Sequence, residues 1–553
     1  MTGYGRAWAV GLLGLRGTPV EVEAYAAAGL PKFTLIGLPD SVLSEARDRV
    51  RAAALNSGLD WPQAVLTVSL SPAWIRKQGS GFDLAIAFAV LRAAGAIRPS
   101  ALPGAVFIAE LGLDGRVRPV RGVLPCAAAA VRAGLTSVFV AEANLAEAAQ
   151  VPGVEASGLR SLRQLVALAN GDPVPGDPPG EAQLAPPDGA APDAAGPLPD
   201  LAEVLGQYEA RRALELSAAG GHHLFLCGTP GSGKTMLAER LPGILPPLEP
   251  SAALEVSAVH SLTGTLPPDR PLITRPPFCA VHHSATVAAM VGGGSGQLRP
   301  GAVSRAHRGV LFLDETPEFG RSVLDALREP IESGEVAIAR ASGVARFPAR
   351  FLLVAAANPC PCGRAGSQSA VCVCAPRQRA GYLARISGPL LDRIDLRVDV
   401  APVGAADLLD AAAGGLSGEP TAVVAARVAA ARDRAAHRLT ATPWAANAQV
   451  PGQYLRNNWP LSVDALGTAE RALRAGVLTA RGLDRVIRIA WTLADLAGAD
   501  RPDRAAVDTA LGFRLGTDTP VIAAAPSVRR PPDRSSPATP AQHGGGREWA
   551  SDD

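Results

Sequence analysis

The stretch Leu224-Phe225-Leu226-Cys227-Gly228-Thr229-Pro230-Gly231-Ser232-Gly233-Lys234-Thr235 is an apolar run, a glycine-rich turn and the start of an Ala/Leu-rich helix. Its G-x-x-x-x-G-K-T pattern predicts a phosphate-binding loop between a strand and a helix. Backbone N–H groups from Gly228, Thr229, Pro230's neighbours, Gly231, Ser232 and Gly233 would curl around phosphate oxygens. Lys234 would reach the β- and γ-phosphates, and the Thr235 hydroxyl would ligate Mg²⁺. The positive end of the following helix dipole adds to the same anion site. The plainer alternative is a glycine-rich turn without a nucleotide. The loop predicts ATP and Mg²⁺ as cofactors.

The chain has 553 residues, enough for roughly three or four domains, each with its own core. Lys and Arg number 53 against 51 Asp and Glu, a formal charge of +2, so any basic binding surface must be local. Hydrophobic content is 48%, yet much of it is alanine, and no apolar run is long enough to span a membrane. The first residues lack the basic-then-apolar build of a signal peptide, so a cytoplasmic protein is expected. From Gly171 to Asp200, Pro, Gly, Ala and Asp dominate without periodicity, which predicts a disordered linker; the end of the chain, from about Ser527, has the same character.

A second strand signal, Gly309-Val310-Leu311-Phe312-Leu313-Asp314-Glu315, ends in two carboxylates. Downstream of a P-loop it reads as Walker B: Asp314 orients Mg²⁺ and its waters, and Glu315 polarises the attacking water. A third run, Phe351 to Asn358, delivers Asn358 at a strand end, where sensor 1 helps place that water; an asparagine capping the turn before Pro359 is the alternative. In ring ATPases an arginine after the next short apolar turn projects into the neighbouring subunit's nucleotide. Arg393 is the candidate and Arg385 its rival, with a local ion pair to Asp392 or Asp395 as the bland explanation. Arg481, just inside a helix opened by Thr479, suits sensor 2, while Arg485 and Arg488 read as a solvated helix face.

Seven cysteines, four of them between Cys360 and Cys374, argue against an extracellular disulfide framework. The pairs Cys360-Pro361-Cys362 and Cys372-Val373-Cys374 could close a tetrahedral Zn²⁺ site. Reduced structural thiols and a redox-sensitive disulfide are the alternatives. His282 and His283 carry no assignment.

The N-terminal pattern mixes strands and helices: Pro19 to Ala24 alternates, Asp40 to Ala54 and Asp83 to Ala94 read as helices, and Ala64 to Leu70 and Ala105 to Glu110 as strands. The motifs Pro72 to Leu84 and Gly104 to Gly122 resemble the Lon-type proteolytic fold. By that resemblance the serine of the Lon dyad falls at Gly81, and its lysine near Leu124 to Cys126, where there is no lysine. The implication is a protease-like shape without its chemistry, as in ComM-type and RadA-type proteins. Lys77, Gly79 and Asp83 are then candidates for DNA or subunit contacts, or for a fold-stabilising turn.

Together the motor motifs place the chain in the AAA+ class. Gly220-Gly221-His222-His223-Leu224, Ala306 to Glu315, Asn358 to Gly363 and Arg385 to Leu396 resemble the ComM/YifB family of magnesium-chelatase-like proteins, from Arg6 to about Arg514 outside the linker. Departures are Cys279 and Val281, where the family usually has arginine and proline, and Ala302, where an acid is usual. The resemblance implies a multidomain α/β chain: a Lon-protease-like α+β domain (1–168), a linker (169–200), an AAA+ P-loop core (201–400), a helical lid (401–516) and a disordered tail (517–553). It also implies an insertion around Leu262 to Pro300, including Gly292 to Gly296. A second insertion is a hairpin around Glu335 to Arg346 turning at Ser342-Gly343. Arg340 and Arg346 there either track DNA phosphates or pack between subunits. The implied function is a homo-hexameric DNA translocase that promotes branch migration during natural transformation. A chelatase-type metal-insertion motor is the alternative, and an ATP-dependent protease lacks its dyad.

Overall fold

The structure, a computed structural model, describes residues 3–73, 77, 79–178, 198–294, 298–340, 343–365, 371–404 and 418–516. The tail, most of the linker, the hairpin turn at Ser342 and the end of the Gly292–Gly296 run lie outside the described residues.

The alternation around Val20 and Val22 extends into a long antiparallel pair. Strands Gly3–Leu13 and Arg16–Ala27 run in register from Gly3↔Ala26 to Leu13↔Arg16. Val20, Val22, Ala24 and Ala26 all face the core, as period-two patterning requires. Around this pair forms a seven-stranded sheet in the order 32–36, 65–71, 16–27, 3–13, 106–108, 137–141, 155–159. Helix Asp83–Ala93 is apolar on nearly every face and is buried against the first two strands. The approach is so close that a Cβ on Gly5 would sit 2.0 Å from the Ala89 carbonyl oxygen. The helix expected over Asp40 to Ala54 is broken at Glu45 into Ser41–Ser44, capped by Asp40, and Ala46–Asn56.

The second sheet is five-stranded and wholly parallel, in the order Phe278–Val281, Val310–Leu313, Leu352–Ala357, Leu224–Gly228, Leu396–Val400. The strands at 310–313 and 352–357 are buried along their whole length, which explains their unbroken apolar sequences. The strand order of the sheet places the strand that precedes Asn358 between the P-loop strand and the strand that precedes Asp314. All three motifs therefore emerge together at the carboxyl edge, where open α/β sheets bind ligands.

The hairpin pairs Glu335–Arg340 with Gly343–Pro348, Ala337 opposite Arg346. Val336, Ile338, Ala345 and Phe347 form its buried side, and Arg346 pairs with Glu335. Leu12 and Leu15, flanking the first turn of the chain, pack into the same cluster. A second contact joins the sheets' units: Glu147 is buried and accepts from Leu124 N at 2.9 Å, Asn144 Nδ2 at 3.2 Å and the Ser261 hydroxyl.

Helices Thr421–Leu439, Val463–Arg474, Ala480–Ala497 and Arg504–Leu515 close over the core. Thr479 caps the third, accepting from Gly482 N at 3.0 Å. Arg485 and Arg488 on it are not the solvated face expected of them. Arg485 is 17% exposed and pairs with buried Asp395, and Arg488 Nε donates to the Val450 carbonyl at 2.6 Å. The carboxylate at the foot of the last core strand draws the lid arginine inward, because a buried charge needs a partner. His222 completes the junction, with Nδ1 3.0 Å from Asp395 Oδ2 and Nε2 2.8 Å from Thr492 Oγ1.

Burial opposes charge on Asp395, but His222 and Arg485 outweigh it and hold the carboxyl well below its ordinary range. A depressed acid stabilises the fold above its unfolded value of about 3.9 and loses that contribution as pH falls below it. Lid docking is therefore expected to be insensitive to pH from neutrality down to about 4 on this account, and to weaken below. Arg485→Ala leaves the carboxylate without its cation and should lower stability by about 3 kcal/mol, read from the denaturant midpoint.

Candidate active site

Two glycines set the loop's shape. Gly231 and Gly233 have φ of 77° and 87°, the left-handed region that glycine adopts without penalty, and Gly233 starts the helix Lys234–Ile244. Gly228 has no room for a side chain, since a Cβ would meet the Val400 carbonyl oxygen at 2.4 Å. Lys234 is largely buried, and its ammonium donates to the carbonyls of Gly228 at 2.8 Å and Thr229 at 3.0 Å and to Asn358 Oδ1 at 3.2 Å. Burial pushes its pKa down, against the pull of Asp314.

The Thr235 hydroxyl donates to Asp314 Oδ2 at 3.0 Å, so the two groups expected to share Mg²⁺ are neighbours. A hydroxyl and a carboxylate at one point suit an octahedral cation that keeps most of its waters and takes the rest of its ligands from phosphates. Asp314 Oδ1 accepts from the Glu315 N–H at 2.8 Å. Glu315 has φ 48° and ψ 44°, an uncommon conformation for a residue with a side chain. Such strain persists where surrounding structure enforces it, often at functional sites.

His283, without an assignment from the sequence, has its Nδ1 3.4 Å from Glu315 Oε2. The reason is sheet register: Val281 lies opposite Leu313, so the residues following each strand emerge side by side. Gln207 is a second such residue. Its side chain donates to the Ser232 carbonyl, clasping the loop from the segment before helix Tyr208–Gly220. Periodicity carries no signal for either contact.

The arginine candidates are held within their own chain. Arg393 pairs with Glu332 and donates to the Pro389 carbonyl at 2.7 Å; its side chain is 18% exposed. The local partner is thus Glu332, rather than Asp392 or Asp395. Arg385 is 56% exposed and sits 3.1 Å from Glu318. Arg481 is exposed in the first turn of the lid helix.

Cys360, Cys362, Cys372 and Cys374 place their sulfurs within 4.8 Å of one another. Three of the separations are 3.4, 3.6 and 3.7 Å. These exceed the S–S bond length of about 2.05 Å and approach the edge of about 3.8 Å that a tetrahedron of Zn–S bonds of about 2.3 Å would have. The Cys362 thiol is drawn down to about 6, first by the Arg364 backbone N–H, whereas the Cys372 and Cys374 thiols go up beside it, since one thiolate opposes the next in so close a set.

At the Lon dyad's serine position Gly81 has no side chain to act as nucleophile, although a Cβ there would meet nothing within 4 Å. Leu124 and Cys126 are buried in the helix Val123–Arg132. No described helix is long and apolar enough to cross a membrane.

Family models match three segments: magnesium chelatase, subunit ChlI, over residues 200–408; subunit ChlI of Mg-chelatase over 22–144; and the ChlI C-terminal part over 418–514. An uncharacterized protein of Mycobacterium tuberculosis is 51% identical over 510 residues, 92% of this chain and 98% of the relative. The YifB protein of Salmonella typhimurium is 40% identical over 503 residues, 91% and 95% of the two chains. The competence protein ComM of Haemophilus influenzae is 38% identical over 504 residues, 91% and 96% of the two chains. Likeness of this extent runs through both sheets and the helices that follow them, and the chain belongs to the ComM/YifB family of magnesium-chelatase-like proteins.

Proposed function

We propose that this protein is a Mg²⁺-dependent ATPase that assembles into a ring, a homo-hexamer, and drives branch migration on DNA, acting in the cytoplasm during natural transformation. The observation that carries the ATPase half is the meeting of Lys234, Thr235, Asp314, Glu315 and Asn358 at one sheet edge. Lys234 and the loop amides bind phosphates, Thr235 and Asp314 hold Mg²⁺, Glu315 polarises water and Asn358 positions it. Arg393 from a neighbour stabilises the transferring phosphoryl, and Arg481 senses the γ-phosphate from the lid. The bound Mg²⁺ supplies charge neutralisation at the phosphates.

The DNA half rests on likeness to a competence protein along nearly the whole chain, the first sheet included. Arg340 and Arg346 on the hairpin supply cations that contact phosphates without reading sequence. A chelatase-type motor is the second reading, supported by the family models over all three segments. In either case Zn²⁺ is the proposed occupant of the four-cysteine cluster.

A branch-migration assay on three- and four-stranded DNA tests the reading. Wild type should move strands with ATP, and both Lys234→Ala and Glu315→Gln should not. Assembled wild type that hydrolyses ATP yet moves no strand would sink the translocase, and turnover raised only by a chelatase partner would favour the motor of metal insertion.

A further inference from the structure

The cysteine cluster is built onto the nucleotide site. Cys360 lies two residues after Asn358, whose side-chain oxygen accepts from Lys234 at 3.2 Å. Cys360 is fully buried, and its turn closes through Gly363 N to Cys360 O at 2.9 Å, with Ala365 N donating to the Cys360 sulfur at 3.3 Å. Gly363, at φ 73°, lies directly against the phosphate loop: a Cβ there would stand 2.6 Å from both Cγ and Cδ of Pro230. Residues 358–363 therefore touch the loop at Pro230 and at Lys234.

What holds this segment in place is the question. Four thiols converging within 4.8 Å attract one another weakly, whereas four Zn–S bonds fix both C-x-C turns to a single point. Zinc binding to such a set displaces the thiol protons and becomes part of the folding free energy of the segment it ties.

We propose that the four cysteines hold a Zn²⁺ ion that forms the rigid back wall of the nucleotide site, so that zinc occupancy sets the affinity for ATP. The inference rests on Gly228 to Thr235 binding ATP and is independent of any action on DNA. Loss of the ion frees residues 360–363 to withdraw from Pro230, and Asn358 then no longer fixes the Lys234 ammonium.

Full-length protein prepared without chelators should carry about one zinc per chain by elemental analysis, as one tetrathiolate site requires. Releasing the ion with an organomercurial should weaken binding of a fluorescent ATP analogue, measured without DNA, by about tenfold, equivalent to ~1.4 kcal/mol. Restoring the thiols with excess dithiol and adding Zn²⁺, but not further Mg²⁺, should recover it. Cys362→Ser with Cys374→Ser should lose the metal and the affinity together. Gly363→Ala keeps all four ligands, so it should retain zinc while weakening the analogue, which separates wall from fold even where the double variant fails to fold. Protein without stoichiometric zinc overturns the proposal, as does metal-free protein of unchanged circular dichroism that binds within about twofold of the loaded form. Failure of the zinc-loaded wild type to bind the analogue would instead remove the ATP-site reading and this inference with it. Zinc-dependent ATP binding without strand movement would leave the inference standing and remove only the translocase.

Discussion

Arg393→Ala is expected to lower ATP turnover of the assembled protein by about 10³-fold or more, the scale of an arginine supplied to a neighbour's phosphoryl group. Nucleotide binding at low protein concentration should hardly change, because Arg393 sits with Glu332 and the Pro389 carbonyl rather than with the loop of its own chain. Reaching a neighbour requires exchanging Glu332 for phosphate, a trade favoured by the larger negative charge. The decisive measurement is a mixture. Lys234→Ala chains keep the arginine and lack the loop lysine, and Arg393→Ala chains have the reverse, so neither turns over alone. Assembled together, they should recover turnover wherever an intact loop faces an intact arginine. Arg385→Ala is the control, since Arg385 is more exposed, paired with Glu318 and set over the Tyr382 ring. Turnover that falls with Arg385 and survives loss of Arg393 would transfer the role, and no recovery in the mixture would sink the in-trans arrangement.

The legible parts of the site are those whose chemistry is local. The phosphate loop needs its glycines and lysine consecutively, so Gly228 to Thr235 can be read from eight residues. Asp314 and Glu315 are legible because the strand before them is buried on both faces and unbrokenly apolar. His283 is not legible: its position beside Glu315 follows from the pairing of Val281 with Leu313, a choice of neighbour among strands that no spacing encodes. Glu332 lies 61 residues before Arg393, so a search among the arginine's adjacent acids finds Asp392 and Asp395 instead. The same blindness explains Arg485 and Arg488. On a helix wheel they resemble a charged outer face, but Asp395, 90 residues earlier, turns one of them inward. The fold class itself was legible because three apolar runs each end in a residue of known chemistry, which already orders a parallel sheet with one functional edge.

Glu315→Gln should reduce ATP turnover by about 10² to 10⁴, the range of a positioned general base, while ATP remains bound. Gln keeps the shape and a hydrogen-bonding oxygen but cannot accept the proton that the attacking water must lose. Binding survives because Lys234, Thr235 and Asp314 are untouched. Asp314→Asn should behave otherwise: it weakens the cation site, so more Mg²⁺ should be needed for half-maximal turnover. His283→Ala provides the third leg. If the contact of His283 Nδ1 with Glu315 Oε2, 3.4 Å long, serves to orient the carboxylate, loss of the imidazole should lower kcat several-fold with the KM for ATP unchanged. In a Glu315→Gln background the same change should have almost no further effect on turnover, since the base it orients is gone. An undiminished effect of His283→Ala in that background would mean that the imidazole acts on the nucleotide or the water directly, and a Glu315→Gln protein with near-normal turnover would leave the water to another base.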